Sequence, residues 1–148
     1  MPITPDHAGR TYAPTAPFEV TRARVVELAT ALGDPAVRGQ RSPVAPPTFG
    51  VVVAGQAWDV LFADPELGLE LSRIVHAEQR FRYVRPLEPG DVVTAVLRVD
   101  KVRVRGGADF ISTSVEVHDE AGERVLSADA TFVHSHAPAD GQTDGNAA

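Results

Sequence analysis

The 148-residue sequence contains no cysteine. That excludes a disulfide framework, a thiol nucleophile and a thiolate metal site. Lysine is nearly missing as well. Of 14 basic residues only Lys101 is a lysine, which we read as codon bias in a GC-rich genome rather than as chemistry. There is no excess of positive charge: the net charge of −6 argues against general nucleic-acid binding. No apolar run reaches the roughly 18 residues of a membrane span. The N-terminus, MPITPDHAGRTY, has no apolar stretch of the signal-peptide kind. The expectation is a cytoplasmic protein with neither membrane nor nucleic-acid partners.

What is present suits one globular domain. The chain is 43% hydrophobic, enough for a real core, since a chain this long buries roughly 70% of its unfolded surface. We expect a single domain over residues 1–136 that begins with a proline-rich irregular arm, 1–17. Residues 137–148 read as a disordered polar tail. No internal repeat is found.

VTRARVVELATALGD is a helix by its pattern. Val25, Leu28, Ala29 and Leu32 form one apolar stripe. Thr21 is the N-cap, Val20 and Val25 form a hydrophobic staple, and Gly33 followed by Pro35 ends it. The next apolar segment, Thr48–Ala63, has three consecutive valines but is long for a strand, so we assign a helix capped by Thr48 and buried on most sides. Gly50 and Gly55 within it suggest a close approach to the backbone. From Leu71 onward the period becomes two. RIVHAEQRFRYVRPL, DVVTAVLRVDKVRVR, ADFISTSVEVHD and ERVLSADATFVHSH read as four long strands, joined by the turn sequences EPGD, GG and EAG. The expected class is α+β: an antiparallel sheet wrapped around a central helix, with an edge free to pair with a second chain.

GRTY, the helix ending ALGD, APPTFGVVV, IVHAEQRF, PLEPGD and VHDEAGE occur in an order and spacing that resemble the MaoC-like hot-dog family of acyl-thioester dehydratases and hydratases. The likeness covers about residues 9–134. It is greatest to the N-terminal-half type, the (3R)-hydroxyacyl-ACP dehydratase subunits of actinobacteria. The resemblance implies a hot-dog fold with Thr48–Ala63 as its central helix, and substrates carried as thioesters on acyl carrier protein or coenzyme A. It implies no cofactor.

Catalytic members of that family carry an Asp and a His in the loop after the first helix, and an Ala-His-Gly sequence where the central helix begins. Here Gly33 and Asp34 are present, but PAVRGQRSPV follows without a histidine. Ala45, Pro46 and Pro47 replace Ala-His-Gly, and proline has no N–H to donate. The loop is also shorter than the family's. Adding or removing water across C2–C3 of an acyl thioester needs proton transfer at both carbons and donors for the charge developing on the thioester oxygen. Both provisions are missing, so Asp34 is read as vestigial, an acid at a helix stop.

Thr48, Phe49, Gly50, Trp58, His76 and Gln79 are the expected substrate-binding residues, each also with a simpler structural reading, Thr48 as the helix cap and Gly50 as a place of close backbone approach. Phe49 and Trp58 are also ordinary core residues, and His76 and Gln79 could belong to the sheet alone. Asp59 is the one acid of the central helix. It could activate water in the manner of hot-dog thioesterases, or simply face solvent. His118 is read as solvated beside a turn. His134 and His136 alternate on one strand, and with no carboxylate or thiol ligand near them in sequence, no metal site is expected. Arg80, Arg82, Arg98, Arg103 and Arg105 suit either docking of an acidic carrier protein or protection of the sheet edge.

The sequence thus points to a non-catalytic dehydratase subunit that shapes an acyl channel for a catalytic MaoC-like partner in a heterodimer. The alternatives are a homodimeric enoyl-CoA hydratase or thioesterase using His76 with Asp59, and a non-enzymatic acyl-binding or structural module.

Overall fold

The computed structural model describes residues 2–34 and 43–136. Its elements are β1 (Phe18–Glu19), α1 (Arg22–Ala31), α2 (Gly50–Phe62), β2 (Ile74–Tyr83), β3 (Val92–Arg105), β4 (Ala108–Asp119) and β5 (Arg124–Ser135). Single 3₁₀ turns lie at Pro5–His7, Pro47–Phe49 and Leu71–Arg73. The five strands form one antiparallel sheet in the order β1-β3-β4-β5-β2. The expected tail and most of the loop after α1 lie outside the described residues. No described helix is long and apolar enough to cross a membrane.

The four long strands follow the alternation read from the sequence. On β5, Leu126, Ala128, Ala130, Phe132 and His134 are buried, and the residues between them are less so. Helix α2 lies across this inward face, presenting Val53, Ala54, Ala57, Trp58 and Leu61. The fold is therefore the hot-dog arrangement: a curled sheet around one apolar helix.

Four local expectations need correction. Thr48 makes no capping bond, and the helix proper starts at Gly50 after a 3₁₀ turn. Pro46 and Pro47 cannot donate into a regular first turn, and a tighter one results. The helix is not enclosed on most sides: Val51 and Val60 are exposed, because one sheet covers only one face. Gly50 does meet close neighbours, but a Cβ on Gly55 would meet nothing within 4 Å. In α1, Val25 and Ala29 are buried as expected and Thr21 accepts from the Arg24 N–H, but Leu32 is 56% exposed. Leu32 occupies the C-cap, already turned away from the core. Gly33, at φ 73°, takes the left-handed conformation that ends the helix.

The N-terminal arm is hydrogen-bonded along the outer edge of β3. Gly9, Tyr12 and Thr15 donate backbone N–H groups to Val99, Leu97 and Ala95, at 2.7, 2.9 and 2.9 Å. β1, too short to be visible as an alternating pattern, continues this edge through Phe18 and Val93.

Two ion-paired clusters secure the connections. After α2, the Asp64 carboxylate accepts the Tyr12 hydroxyl at 2.7 Å and pairs with Arg10 at 3.1 Å, while Arg10 also holds Glu66 at 2.7 Å. Burial pushes the Asp64 carboxyl up, but the Tyr12 hydroxyl, the Glu66 N–H and Arg10 outweigh it and hold the group below its usual value. At the opposite end Arg85 bridges Asp91 at 2.8 Å and Asp119 at 3.3 Å. The GRTY, PLEPGD and VHDEAGE motifs therefore supply scaffold contacts.

Candidate functional site

The site is assembled where β2 lies beside α2, and a β-bulge decides its composition. His76 pairs with Phe132 and Glu78 with Thr131, so Ala77 is the extra residue. Strict alternation would place His76 and Gln79 on opposite faces. The bulge restores them to the same one: Ile74, His76, Gln79, Phe81 and Tyr83 stand opposite His134, Phe132, Ala130, Ala128 and Leu126, all buried on the helix side.

His76 meets two rings, Trp58 at 5.2 Å edge-on and Phe132 at 4.7 Å, and Trp58 lies 5.4 Å from Phe132. The imidazole is exposed at the sheet edge, and among the described residues none hydrogen-bonds to it. It is thus an aromatic-packed rim residue, distinct from a core histidine held by polar partners. Gln79 donates its amide to the Asp129 carbonyl at 3.0 Å. Its own Oε1 is buried without a partner among the described residues, as are Trp58 Nε1 and Thr113 Oγ1. Thr113 pairs with Ala130, which pairs with Gln79, so these two unpartnered oxygens belong to one row of the helix-facing sheet.

Polar groups at the start of α2 are differently placed. The Tyr83 hydroxyl accepts the Gly50 N–H at 3.1 Å and donates to the Pro47 carbonyl at 2.7 Å. Burial raises the Tyr83 phenol above its ordinary range. A Cβ on Gly50 would sit 2.9 Å from that hydroxyl oxygen and 3.0 Å from the Phe81 ring, so Gly50 is the residue that permits the contact. Phe49 is fully buried in the core, whereas Thr48 is exposed and caps nothing. Of the expected binding residues, Trp58 and His76 are in contact and Gln79 shares their face of the sheet. Phe49 and Gly50 stand at the other end of the helix.

Asp34 is exposed just beyond α1, its N–H bonded to the Ala29 carbonyl at 2.9 Å. Asp59 is exposed on the outer side of α2, in a groove with Tyr12, Val60 and Pro65, while its neighbour Trp58 turns inward to His76. The geometry therefore does not join His76 and Asp59 into one set. His118 is half-buried, 3.7 Å from Glu116.

One group escaped the sequence reading. The expectation that His134 and His136 lack a carboxylate is overturned by Asp109, 1% exposed, which meets His134 Nδ1 at 3.2 Å and His136 Nε2 at 2.8 Å. Asp109 is the cross-strand partner of His134. Its signal was an acid at an inward position of ADFISTSVEV. His134 Nε2 accepts the Glu70 N–H at 3.2 Å, which leaves Nδ1 to carry the proton and donate to Asp109. The cluster is consequently a hydrogen-bonded brace between β4, β5 and the turn before β2. Among the described residues no group of three or more His, Cys, Asp or Glu side chains is arranged to hold a metal ion.

Comparison with known proteins agrees with this geometry. The model of the FAS1-like dehydratase domain region matches residues 6–128. A UPF0336 protein of Cutibacterium acnes is 45% identical over 137 residues, covering 91% of this chain and 96% of that one. A UPF0336 protein of Streptomyces coelicolor is 39% identical, covering 86% and 92%. Among solved structures, a chain of the HadBC (3R-hydroxyacyl-ACP dehydratase) complex from Mycobacterium tuberculosis superposes with a TM-score of 0.72 at 27% identity, covering 86% of this chain and 97% of that chain. A MaoC-like dehydratase gives a TM-score of 0.76 at 28% identity, this chain matching 43% of its length. With a family model spanning most of the sequence and relatives matched over nearly their full length, the chain belongs to the FAS1-like dehydratase-region family, on the hot-dog fold of the MaoC-like dehydratases.

Proposed function

We propose that this chain is a non-catalytic subunit of a (3R)-hydroxyacyl-thioester dehydratase, a cytoplasmic component that lines the acyl channel for a catalytic MaoC-like partner. Dehydration removes a proton from C2 and a hydroxyl, as water, from C3, while negative charge gathers on the thioester oxygen. A base, an acid and an oxyanion donor must stand together to do this. The observation that carries the reading is the start of α2. Pro47 has no N–H, and the Gly50 N–H is already taken by the Tyr83 hydroxyl at 3.1 Å. The sequence after Asp34 adds no histidine. The partner supplies the chemistry, and this chain contributes Trp58, His76, Gln79 and the adjoining apolar face to acyl or pantetheine binding.

Partnership is supported by one structural relative: the HadBC complex of Mycobacterium tuberculosis contains a similar chain at 27% identity. A chain of the ChsH1-ChsH2 complex, at 17% identity, speaks for the fold alone. The substrate is a thioester of acyl carrier protein or coenzyme A.

The test follows absorbance of a trans-2-enoyl thioester with the chain alone, with a hot-dog partner bearing the Asp/His loop, and with that partner plus Asp34→Asn. The lone chain should be at least 10²-fold slower than the pair, the usual scale of lost acid–base catalysis, and Asp34→Asn should leave the pair's rate intact. Robust turnover by the lone chain, abolished by Asp34→Asn, overturns the proposal.

A further inference from the structure

The stretch of ladder that places His76 is short. Ile74 pairs with His134, Val75 with Val133 and His76 with Phe132. Just beyond His76 the register shifts at the bulge, and just before Ile74 the chain leaves the sheet for the Leu71–Arg73 turn. β2 is also the last strand of the sheet, with β5 as its one neighbour among the described strands. So short a piece of edge strand is weakly held by its own pairing. Where His76 stands therefore depends on how the turn before it is fixed.

That turn is tied to the sheet by a side chain. The Glu70 N–H, at the start of the turn, donates to His134 Nε2 at 3.2 Å. The other bonds of Glu70 close the turn on itself: its carbonyl accepts the Arg73 N–H at 2.9 Å, and its carboxylate pairs with the Arg73 guanidinium at 3.3 Å. His134 accepts at Nε2 only while the ring proton is on Nδ1. The buried Asp109 carboxylate meets Nδ1 at 3.2 Å and so selects that tautomer. The charged and titratable groups around the ring are Asp109 from β4, His136 from its own strand, and Glu70 with Arg73 from the turn. Its partner on β2 is the uncharged Ile74, the β3 partner of Asp109 is Val104, and the end of α2 presents Phe62 to the adjoining Phe132.

We infer that His134 and Asp109 are positioning residues for the rim: by fixing the turn that starts β2 they hold His76 against Trp58, and a second proton on the His134 ring releases that turn. The inference rests on the reading of His76 as a binding residue and adds what holds it there. A proton taken from solvent by Nε2 turns the acceptor of the Glu70 N–H into a donor. Two N–H groups then face each other and their bond is lost, while Nδ1–H still donates to Asp109.

The experiment uses the full chain, labelled with ¹⁵N, at pH 7.5 and pH 5, on either side of the ordinary imidazole range. The single tryptophan gives one indole resonance, that of Trp58, whose ring lies 5.2 Å from His76. At pH 7.5 the His134 ring nitrogens should show a protonated Nδ1 and an unprotonated Nε2. At pH 5 the Glu70 amide, corrected for intrinsic exchange, should lose protection about tenfold, the scale of one hydrogen bond. Two variants then separate position from packing. His134→Asn keeps a partner for Asp109 but falls short of Glu70. His134→Gln brings an amide oxygen to about the reach of Nε2 and carries no titrating proton. At pH 7.5 His134→Asn should deprotect Glu70, move the Trp58 resonance and weaken an acyl-pantetheine analogue about threefold or more. His134→Gln should restore all three and keep the same Glu70 protection at pH 5. The opposite His134 tautomer at pH 7.5 overturns the inference without any variant. Equal Glu70 protection at both pH values in the unaltered chain does so too, as does a His134→Gln chain as defective as His134→Asn, or a Trp58 resonance that ignores the loss of Glu70 protection. If the unaltered chain binds no analogue, the proposed function fails, and the positioning is decided by the Glu70 and Trp58 signals.

Discussion

The two ends of helix α2 and its middle treat polar groups in opposite ways. At the start, the Gly50 N–H and the Pro47 carbonyl are both satisfied by Tyr83, at 3.1 and 2.7 Å. Just past the end, Asp64 is saturated by Tyr12, Arg10 and the Glu66 N–H. Between them, where Trp58 meets the sheet, Trp58 Nε1, Gln79 Oε1 and Thr113 Oγ1 are buried without partners among the described residues. Unsatisfied buried groups are rare in native interiors and costly. At the ends of the helix these groups are already engaged by the fold, whereas the middle holds buried polar atoms left without partners among the described residues. The proposed function assigns binding to the middle and rigidity to the ends.

The largest effect that could break this comparison is at Trp58. Trp58→Ala should destabilise by about 3–5 kcal/mol in a denaturant titration, the usual range for a buried aromatic. A change below about 1 kcal/mol would mean that the middle is not packed core at all.

Next comes the far end. Asp64→Asn should cost about 1.5–3 kcal/mol, as expected for a charge-assisted hydrogen bond. The pH dependence sharpens the test. Asp64 is held below its usual carboxyl value in the folded chain, so the unfolded state binds its proton first. Its stabilising contribution is complete above the unfolded pKa of about 4 and is lost as pH falls through the lower folded value. Thermal melts between pH 7 and pH 3 should show an acid-side loss that is reduced in Asp64→Asn. An identical acid limb in both proteins would remove Asp64 from the helix closure.

At the helix start, Tyr83→Phe removes one hydroxyl that makes two hydrogen bonds. The expected loss is about 1–1.5 kcal/mol by chemical denaturation, with no gain in hydration rate, because freeing the Gly50 N–H restores neither acid nor base. Enoyl-thioester turnover appearing in the lone Tyr83→Phe chain would show that the occupied donor was the sole block.

The smallest structural effect belongs to the rim. His76→Ala should leave the melting temperature almost unchanged while weakening an acyl-pantetheine analogue in calorimetric titration. The reverse order would return His76 to a purely structural role.

Much of this was legible because alternation and helical spacing report directly on burial. The four strands and Val25, Ala29 and Trp58 are where the pattern placed them. The β2 bulge was legible too, though only in retrospect: Ile74 and the pair Phe81 and Tyr83 fall in opposite phases of a period of two, so one residue must be extra. Without that shift the common face of His76 and Gln79 could not be deduced. What the sequence concealed depends on distant partners. Tyr83 replaces Thr48 at the helix start from 33 positions away, and Asp109 reaches His134 and His136 across a hairpin. Thr48 made a good local argument and failed because two prolines tightened the turn around it.

The N-terminal arm has a consequence for counting. Its backbone bonds from Gly9, Tyr12 and Thr15 occupy the β3 side of the sheet, and β1 extends that cover. Among the described strands, β2 is left as the long uncovered edge. A sheet open on both sides can be joined end to end into a growing ribbon, as any head-to-tail contact that fails to close can propagate. A sheet open on one side is a terminator: once another edge has been added to β2, no further site of the same kind remains. Through those few hydrogen bonds, seventeen residues of proline-rich chain set a ceiling of two on assembly by this edge.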